Sequence, residues 1–469
     1  MNSASFDFSE LVDARHSRMD LLRVRVGGLW RLRETFPTLI DDLLDVAMAI
    51  YVADRLLKRR RVEGSWQPRQ LRVVIPVADP DRWTTLKSKL RELLTWLTTD
   101  EWELEFVLQT TQRNRVASIF PPKLPERPFV ALYSGGLDSL AGAVAQALDP
   151  AFDAAVLVGA QAGHRLKGLQ VRQHAALAAS LPHLRWERLR GFKHPYRPRH
   201  LGNWDIPEQS QEKSQRSRAF LFMVFGAVTA FAYRSDTLYV YENGIGAINL
   251  PYTPSFRGAD MTRAMHPLTL LRAGQFFSDL FGTPFRIENP SLWRTKGEMC
   301  QQVHAAGLSD LIGLTRSCDS FPLREARDQC GLCTSCLLRR LSLHAAGLSG
   351  MEHDIPVYRE DIYALPLLDT DNRRLRPYFF MRQQAETMQA ALRGGSDLLP
   401  FRLAFDAIEE ARTAIETLNG WKTSEVDHRL ADLYTRYAAE MQAFHQELTG
   451  QNGPRGISND KHAGLQRAQ

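Results

Sequence analysis

An α/β fold built on a doubly wound parallel sheet is what the sequence predicts, and three observations predict it. An apolar run at 129–133 breaks off in Ser134-Gly135-Gly136, and an amphipathic run of small residues, 137–148, begins at once. Further strand-like runs at 154–159, 184–188, 237–241 and 285–288 alternate with helical patterns at 167–181, 217–233 and 295–306. Such alternation makes a parallel sheet with helices on its faces and ligands at the carboxyl ends of its strands. The unusual sequences, a cysteine cluster apart, also fall just past strand ends or at helix starts, so separate levels of pattern agree.

Taken in order, residues 1–120 read as a separate α/β region. A mixed opening includes 22–30, with alternating Val24 and Val26. A helix at 38–57 ends in Lys58-Arg59-Arg60-Arg61, read as a solvated helix end with cations near the negative pole. A strand at 71–77 is closed by Asp79-Pro80. At 81–98 Trp83, Leu86, Leu90, Leu93, Leu94 and Leu97 recur at helical spacing, and 102–108 alternates like a strand. No catalytic constellation falls here, which marks a structural or partner-binding addition. Residues 121–128 hold four prolines in eight positions and read as a stiff linker.

The domain of alternating strands and helices occupies 121–350. Residues 351–449 are mainly helical, with one stripe at Phe401, Ala404, Ile408, Ala411 and Ile415 and another at Leu430, Leu433, Tyr434, Tyr437 and Met441, both read as core faces. The polar stretch 450–469 is expected to be disordered.

At 469 residues, 44% hydrophobic and 24% charged, the chain has the composition of a globular protein with room for two or three domains. Asp7, Glu10, Asp13 and Asp20 interrupt the first twenty residues, so no secretory signal is expected. The longest apolar segment, 39–57, carries Asp41, Asp42, Asp45 and Asp54, which argues against a membrane span. A net charge of +6 permits a nucleic-acid partner without favouring one, since it would equally attract a nucleotide. Four of five cysteines lie between Cys318 and Cys336, which fits a reducing, cytoplasmic location better than a disulfide framework.

Two stretches carry chemistry. In the first, glycines at 135 and 136 free the backbone to take φ > 0 and leave no Cβ between a ligand and the main chain. The N–H groups of the following helix, from Leu137 on, carry about half a positive charge and make an anion site. Ser134 and Ser139 add hydroxyl donors, and Asp138 is placed to hold a magnesium ion beside the anion. No Gly-Lys-Ser/Thr follows, so this is not a Walker loop. The second stretch is Cys318, Cys330, Cys333 and Cys336, a C-x11-C-x2-C-x2-C cluster. Four thiolates about 2.3 Å from one zinc ion satisfy a closed tetrahedral site, and Gly331 supplies the turn such a loop needs. An iron–sulfur cluster is the rival occupant. Either should staple the fold without entering catalysis. Cys300, on the 295–306 helix, reads as a small core residue. Thirteen histidines show no metal-ligand spacing, and His164 reads as a loop residue.

The run Ser134-Gly135-Gly136-Leu137-Asp138-Ser139 resembles the PP-loop of ATP pyrophosphatases. Together with Cys330-Gly331-Leu332-Cys333-Thr334-Ser335-Cys336-Leu337-Leu338-Arg339, it resembles the 7-cyano-7-deazaguanine synthases (QueC), over about residues 129–345. Arg216-Ser217-Arg218-Ala219-Phe220-Leu221 resembles that family's Arg-Asn-x-x-Phe-Leu helix start near the nucleotide. Glu242-Asn243-Gly244 through Asn249-Leu250-Pro251 falls in the loop that holds the family's substrate. Thr295-Lys296-Gly297-Glu298 resembles its Ser/Thr-Lys-x-Glu helix start, where the lysine would neutralise charge on the transferring phosphate.

The sequence also departs from that pattern. Ser217 stands where the family has asparagine, the Asp-Tyr-Ser-Gly-Tyr-Pro-Asp-Cys run is missing, and 1–120 and 351–469 are additions. The extended form resembles the QueC-like proteins of bacterial anti-phage defence, the Qat system in particular.

What the resemblance implies is an enzyme that uses ATP and magnesium, with structural zinc, to adenylate the carboxylate of 7-carboxy-7-deazaguanine and pass it to an amine. The amine would be ammonia or the amino terminus of a protein partner from the same defence system. Asp138, Lys296 and Arg216 would serve the reaction, the 134–139 loop the departing pyrophosphate, and Glu242, Asn243 and Asn249 the base. Three other readings compete: a nitrile-forming synthase, a tRNA-modifying PP-loop thiolase, and a defence subunit that only senses nucleotide.

Overall fold

The computed structural model describes residues 2–8, 25–26, 38–62, 65–109, 124–161, 164–187, 189–193, 212–214, 216–252, 262–321, 329–349, 358–367, 371–395 and 397–450. Two parallel sheets form its frame. The smaller joins β1 (Asn2–Asp7), β2 (Arg69–Val77) and β3 (Glu101–Leu108) in that order, with α1 (Thr38–Leu56) and α2 (Pro80–Thr98) between them in the chain. The larger takes β4 (Pro128–Leu132), β5 (Ala154–Gln161), β6 (Arg190–Lys193), β7 (Thr237–Tyr239) and β8 (Arg286–Glu288). Between and after these run α3 (Leu137–Ala147), α4 (His164–Ser180), α5 (Arg218–Ala232), α6 (Gly244–Ile248), α7 (Pro267–Phe281) and α8 (Lys296–Ala305).

Across the larger sheet the strands lie in the order β8-β7-β4-β5-β6, all parallel, with Arg25–Val26 added antiparallel to β6. The chain winds from β4 out to β6, then crosses back to set β7 on the other side of β4. That reversal opens a crevice at the carboxyl ends of β4 and β7, where doubly wound sheets hold ligands. The apolar runs in β4 and β5 follow from burial on both faces. Val130, Val156 and Val158 pack into one cluster, while Phe129, Ala131, Ala155 and Leu157 pack into the other.

The structure corrects several expectations. The described residues of 1–120 do not pack as a separate unit, because Phe6, Ile40 and Trp83 share one continuous cluster with Phe220 and Phe276. Helix α1 packs on α5, and α2 on α7. Arg59 is not solvated like its neighbours; it is buried, donating to Asp100 Oδ2 at 2.5 Å and to Asp54 Oδ1 at 3.3 Å. A buried guanidinium needs such partners, and the reverse holds too. The strand expected at 184–188 shrinks to Arg185–Trp186, and the ladder continues instead in β6, which offers one buried apolar side chain, Phe192. β1 and α7 were also unforeseen, although α7 carries its own caps, His266 at the start and left-handed Gly282 at the end.

The cysteine segment leads into α9 (Thr334–Ala345), followed by α10 (Arg376–Ala391), the short helix Leu399–Ala404, α11 (Ile408–Asn419) and α12 (Thr423–Leu448). The stripe from Phe401 to Ile415 spans two helices, and Ala404 in it is exposed; the stripe on α12 is buried throughout. The linker residues 121–123, most of 22–30 and the tail from 451 on lie outside the described residues. Among the described residues no helix is long and apolar enough to cross a membrane.

Candidate functional site

The site is built around the turn that ends β4. Gly135 has φ +85, and a Cβ there would lie 3.1 Å from Leu169 Cδ2 and 3.2 Å from Gln173 Oε1. Two glutamines one turn apart on α4 hold the turn from beneath. Gln170 Nε2 donates to the Tyr133 carbonyl at 2.9 Å, and Gln173 Nε2 to the Gly135 and Leu314 carbonyls at 3.0 and 2.9 Å. Above it, the Ser134 and Ser139 hydroxyls lie 3.1 Å apart, and Ser134 Oγ accepts from Gly136 N at 3.1 Å. Gly136 is the N-cap of α3 and has no side chain with which to cap it. The Leu137, Asp138 and Ser139 amides therefore find no acceptor among the described residues. Three orphan donors at a helix start, beside two hydroxyls, form a cradle for an anion. The Leu137 side chain itself is buried, so only its amide can serve.

Asp138 points away from the cradle into a buried polar knot. Its Oδ2 is 2.6 Å from Lys296 Nζ, and its Oδ1 accepts from Asn243 Nδ2 at 2.9 Å and Asn243 N at 3.2 Å. Both oxygens are thus engaged, and the carboxylate expected to meet a magnesium ion instead meets an ammonium. Lys296 stands at the first position of α8, where the helix dipole disfavours a cation. Burial would pull its pKa down, but the Asp138 carboxylate, with Glu242 nearby, holds it above its ordinary value. Glu242 Oε1 accepts from Asn243 Nδ2 at 2.9 Å. Burial, with the charge on Asp138 adding to it and Lys296 opposing, pushes Glu242 up to about 8, so it carries a proton at neutral pH.

In front of this knot lies a cavity of about 470 Å³, lined by Tyr133, Ser134 and Ser139 from the turn, by Gln170 from α4, by Arg216 and Phe222 from the start of α5, and by Glu242. Ser134, Ser139, Arg216 and Glu242 thus share one chamber. Asp138, Asn243 and Lys296 sit behind it, reached through Glu242. Asn249, expected to hold a base, is elsewhere. It caps the end of α6 in a left-handed conformation (φ 49) and donates to the Thr262 carbonyl at 2.9 Å. The chain past β7 turns into that short helix, and the turn carries Asn249 off the chamber wall.

Helix α12 reaches the same site. Thr295 and Glu298 form a capping box at the head of α8, and Thr295 Oγ1 also donates to Glu440 Oε1 of α12 at 2.5 Å. Arg436, on the same helix, pairs with Glu298. The lysine is thereby aimed by a region that the sequence places far away.

The sulfurs of Cys318, Cys330, Cys333 and Cys336 all lie within 4.8 Å of one another. That spacing is compatible with one tetrahedral zinc ion about 2.3 Å from each. Gly331 has φ +88, and a Cβ there would strike the Glu360 carbonyl at 2.1 Å. Arg339, fully buried, donates to Thr315 Oγ1 at 2.5 Å and to the Ile312 carbonyl at 3.0 Å, tying α9 to the strand of chain that carries Cys318. That same strand donates from Arg316 N to the Gly135 carbonyl at 3.4 Å, so the cysteine loop abuts the glycine turn. Cys300 is buried and outside the cluster.

Sequence reasoning missed Gln170, Gln173, Trp96 and Arg263, which bound or support the chamber. Nothing in their local pattern marks them. No protein-family model matches the chain, and no curated protein does.

Proposed function

We propose that the protein is an ATP-dependent carboxylate–amine ligase of the PP-loop type, QueC-like, acting on a 7-deazaguanine carboxylate. The observation that carries this reading is the cradle of three orphan amides and two hydroxyls at the switch point of the sheet, opening onto a chamber of ligand size. A plain strand–turn–helix junction has no need to leave those amides uncapped beside a cavity.

In this reading a carboxylate oxygen of the substrate attacks the α-phosphorus of ATP, the bond to the β-phosphate breaks, and pyrophosphate departs into the Ser134–Ser139 cradle. An amine then attacks the acyl carbon and AMP leaves, giving an amide. The amides of α3 would meet the accumulating negative charge directly, oriented before the reaction begins, while the Lys296 ammonium, held behind the chamber wall by Asp138, would act on it through the intervening Glu242. Magnesium, carried on the nucleotide phosphates, would supply further positive charge. Protonated Glu242 can donate one hydrogen bond and accept another, which suits the edge of a guanine-like base. The four-cysteine site, occupied by zinc, would hold the loop against the glycine turn and take no part in the chemistry.

The test is release of AMP and pyrophosphate from ATP and magnesium when 7-carboxy-7-deazaguanine is supplied, followed by intact-mass analysis of co-expressed partner proteins. A partner heavier by one deazaguanine acyl group selects protein ligation in defence, and free nitrile selects the queuosine-type reaction. No AMP above background with any acceptor would end the proposal.

A further inference from the structure

Leu97 of the N-terminal region lines one side of the chamber, and the helix end around it holds two arginines. Arg216 Nη1 donates to the Thr98 carbonyl at 3.1 Å and to Thr99 Oγ1 at 3.0 Å. Its Nε and Nη2 are buried with no partner among the described residues. The carboxylates nearest to it are already engaged: Asp54 by Arg69 and Ser217, Asp100 by Arg59 and Arg69, Glu212 by the Arg59 and Ser214 amides. Arg263 lies with its guanidinium carbon 3.9 Å from the centroid of the Trp96 ring, and Nη1 donates to the Trp96 carbonyl at 2.9 Å. Both arginines line the chamber.

Trp96, Thr98 and Thr99 are the last turn and the C-cap of α2, the negative end of that helix. Thr99 is held left-handed there, with φ 59 and its amide on the Thr95 carbonyl, which turns its hydroxyl toward Arg216. One helix end therefore fixes two guanidiniums and leaves the rest of each fork unspent. Among the described residues, the only carboxyl group lining the chamber, Glu242, is neutral at neutral pH. Burial lowers Arg216 to about 10, which still leaves it charged. Arg218 adds a third cation at the exposed rim, over the ring of Phe222. A chamber whose described lining holds cations and no ionised carboxylate is costly to keep empty, and a planar fork with free N–H groups matches an oxyanion.

We propose that Arg263 and Arg216 together bind an oxyanion of the reactants, the carboxylate of the acid or a phosphate of the nucleotide, and that the N-terminal region exists in part to assemble this pair. The inference rests on the reading of the cavity as the reaction chamber and adds to it a binding task for residues 96–99 and 263.

Titration calorimetry on the full chain tests it with four probes: inorganic pyrophosphate, magnesium ATP, 7-carboxy-7-deazaguanine, and 7-deazaguanine without the carboxylate. Arg263→Gln and Arg216→Gln should each weaken at least one oxyanion probe about 10- to 150-fold, the worth of a charge-assisted hydrogen bond. The uncharged base should stay within about two-fold, and Arg263→Lys, which keeps the charge but not the fork, should fall between. Loss confined to the acid assigns the pair to the carboxylate; loss confined to ATP and pyrophosphate assigns it to phosphate. Melting curves identify any variant that has lost its fold, and Arg263→Lys then carries the comparison. Unchanged affinity for every anion, an equal loss for the neutral base, or a wild-type protein that binds none of the anions overturns the proposal. Pyrophosphate binding needs no adenylation. If no AMP is released but the glutamine variants still lose pyrophosphate, the ligase reading fails while this one stands.

Discussion

Replacing Asp138 by asparagine leaves the Lys296 ammonium behind in a site where the two side chains are only 11% and 8% exposed. Stranding one member of a buried pair typically costs about 3–5 kcal/mol, because the remaining charge has lost both water and partner. With a urea slope of about 2–3 kcal/mol per molar, the midpoint should fall by about 1–2 M. Lys296→Met should cost less, about 2–3 kcal/mol, because both Asn243 donors still solvate the Asp138 carboxylate. The double variant removes both charges and should return to within about 1 kcal/mol of wild type, a coupling of several kcal/mol. Urea melts of the four proteins measure this cycle directly. Two losses that simply add, with coupling under about 0.5 kcal/mol, would show that the pair is not formed in the folded protein. The account of Lys296 as a lysine aimed by Asp138 would then fall.

Cys336→Ser removes the most buried of the four sulfurs. Elemental analysis should find one zinc-class ion per wild-type chain and none in the variant, with protease sensitivity rising around α9; unchanged metal content and melting would contradict a metal staple. Glu242→Gln should show a pH signature. The folded carboxyl titrates near 8 against an ordinary 4.5, so its contribution to stability is complete below about pH 4.5 and is lost as the pH rises through 8. That gap corresponds to at most about 5 kcal/mol. The variant should match wild type near pH 5 and exceed it in stability by pH 8–9, and a difference that stays flat across that range would refute the assignment.

What the sequence by itself determined is what a short stretch can encode. The donors of the anion cradle all come from 134–139, and the geometry of a strand, a glycine turn and a helix start follows from backbone sterics within those residues. Three of the four sulfurs fall within seven residues, so their convergence needs one tight loop. The parallel α/β class followed from the alternation of period, and the two-faced burial of β4 and β5 is written in their unbroken apolar runs.

Tertiary structure decided which distant residues meet. Asp138 could have faced the chamber; packing of α6 and α8 gave it Asn243 and Lys296 instead. Asn249 had the residue type of a base contact, yet the fold of α6 turned it away. Arg59, in a run of four cations, was drawn inside because Asp54 and Asp100 were already there and needed charge. The end of α2 became a wall of the chamber, and α12 a brace for Lys296, only because the N- and C-terminal regions share clusters with the central sheet and the segments around it. A side chain's type is local, but its partner is chosen by burial, and burial is a property of the whole fold.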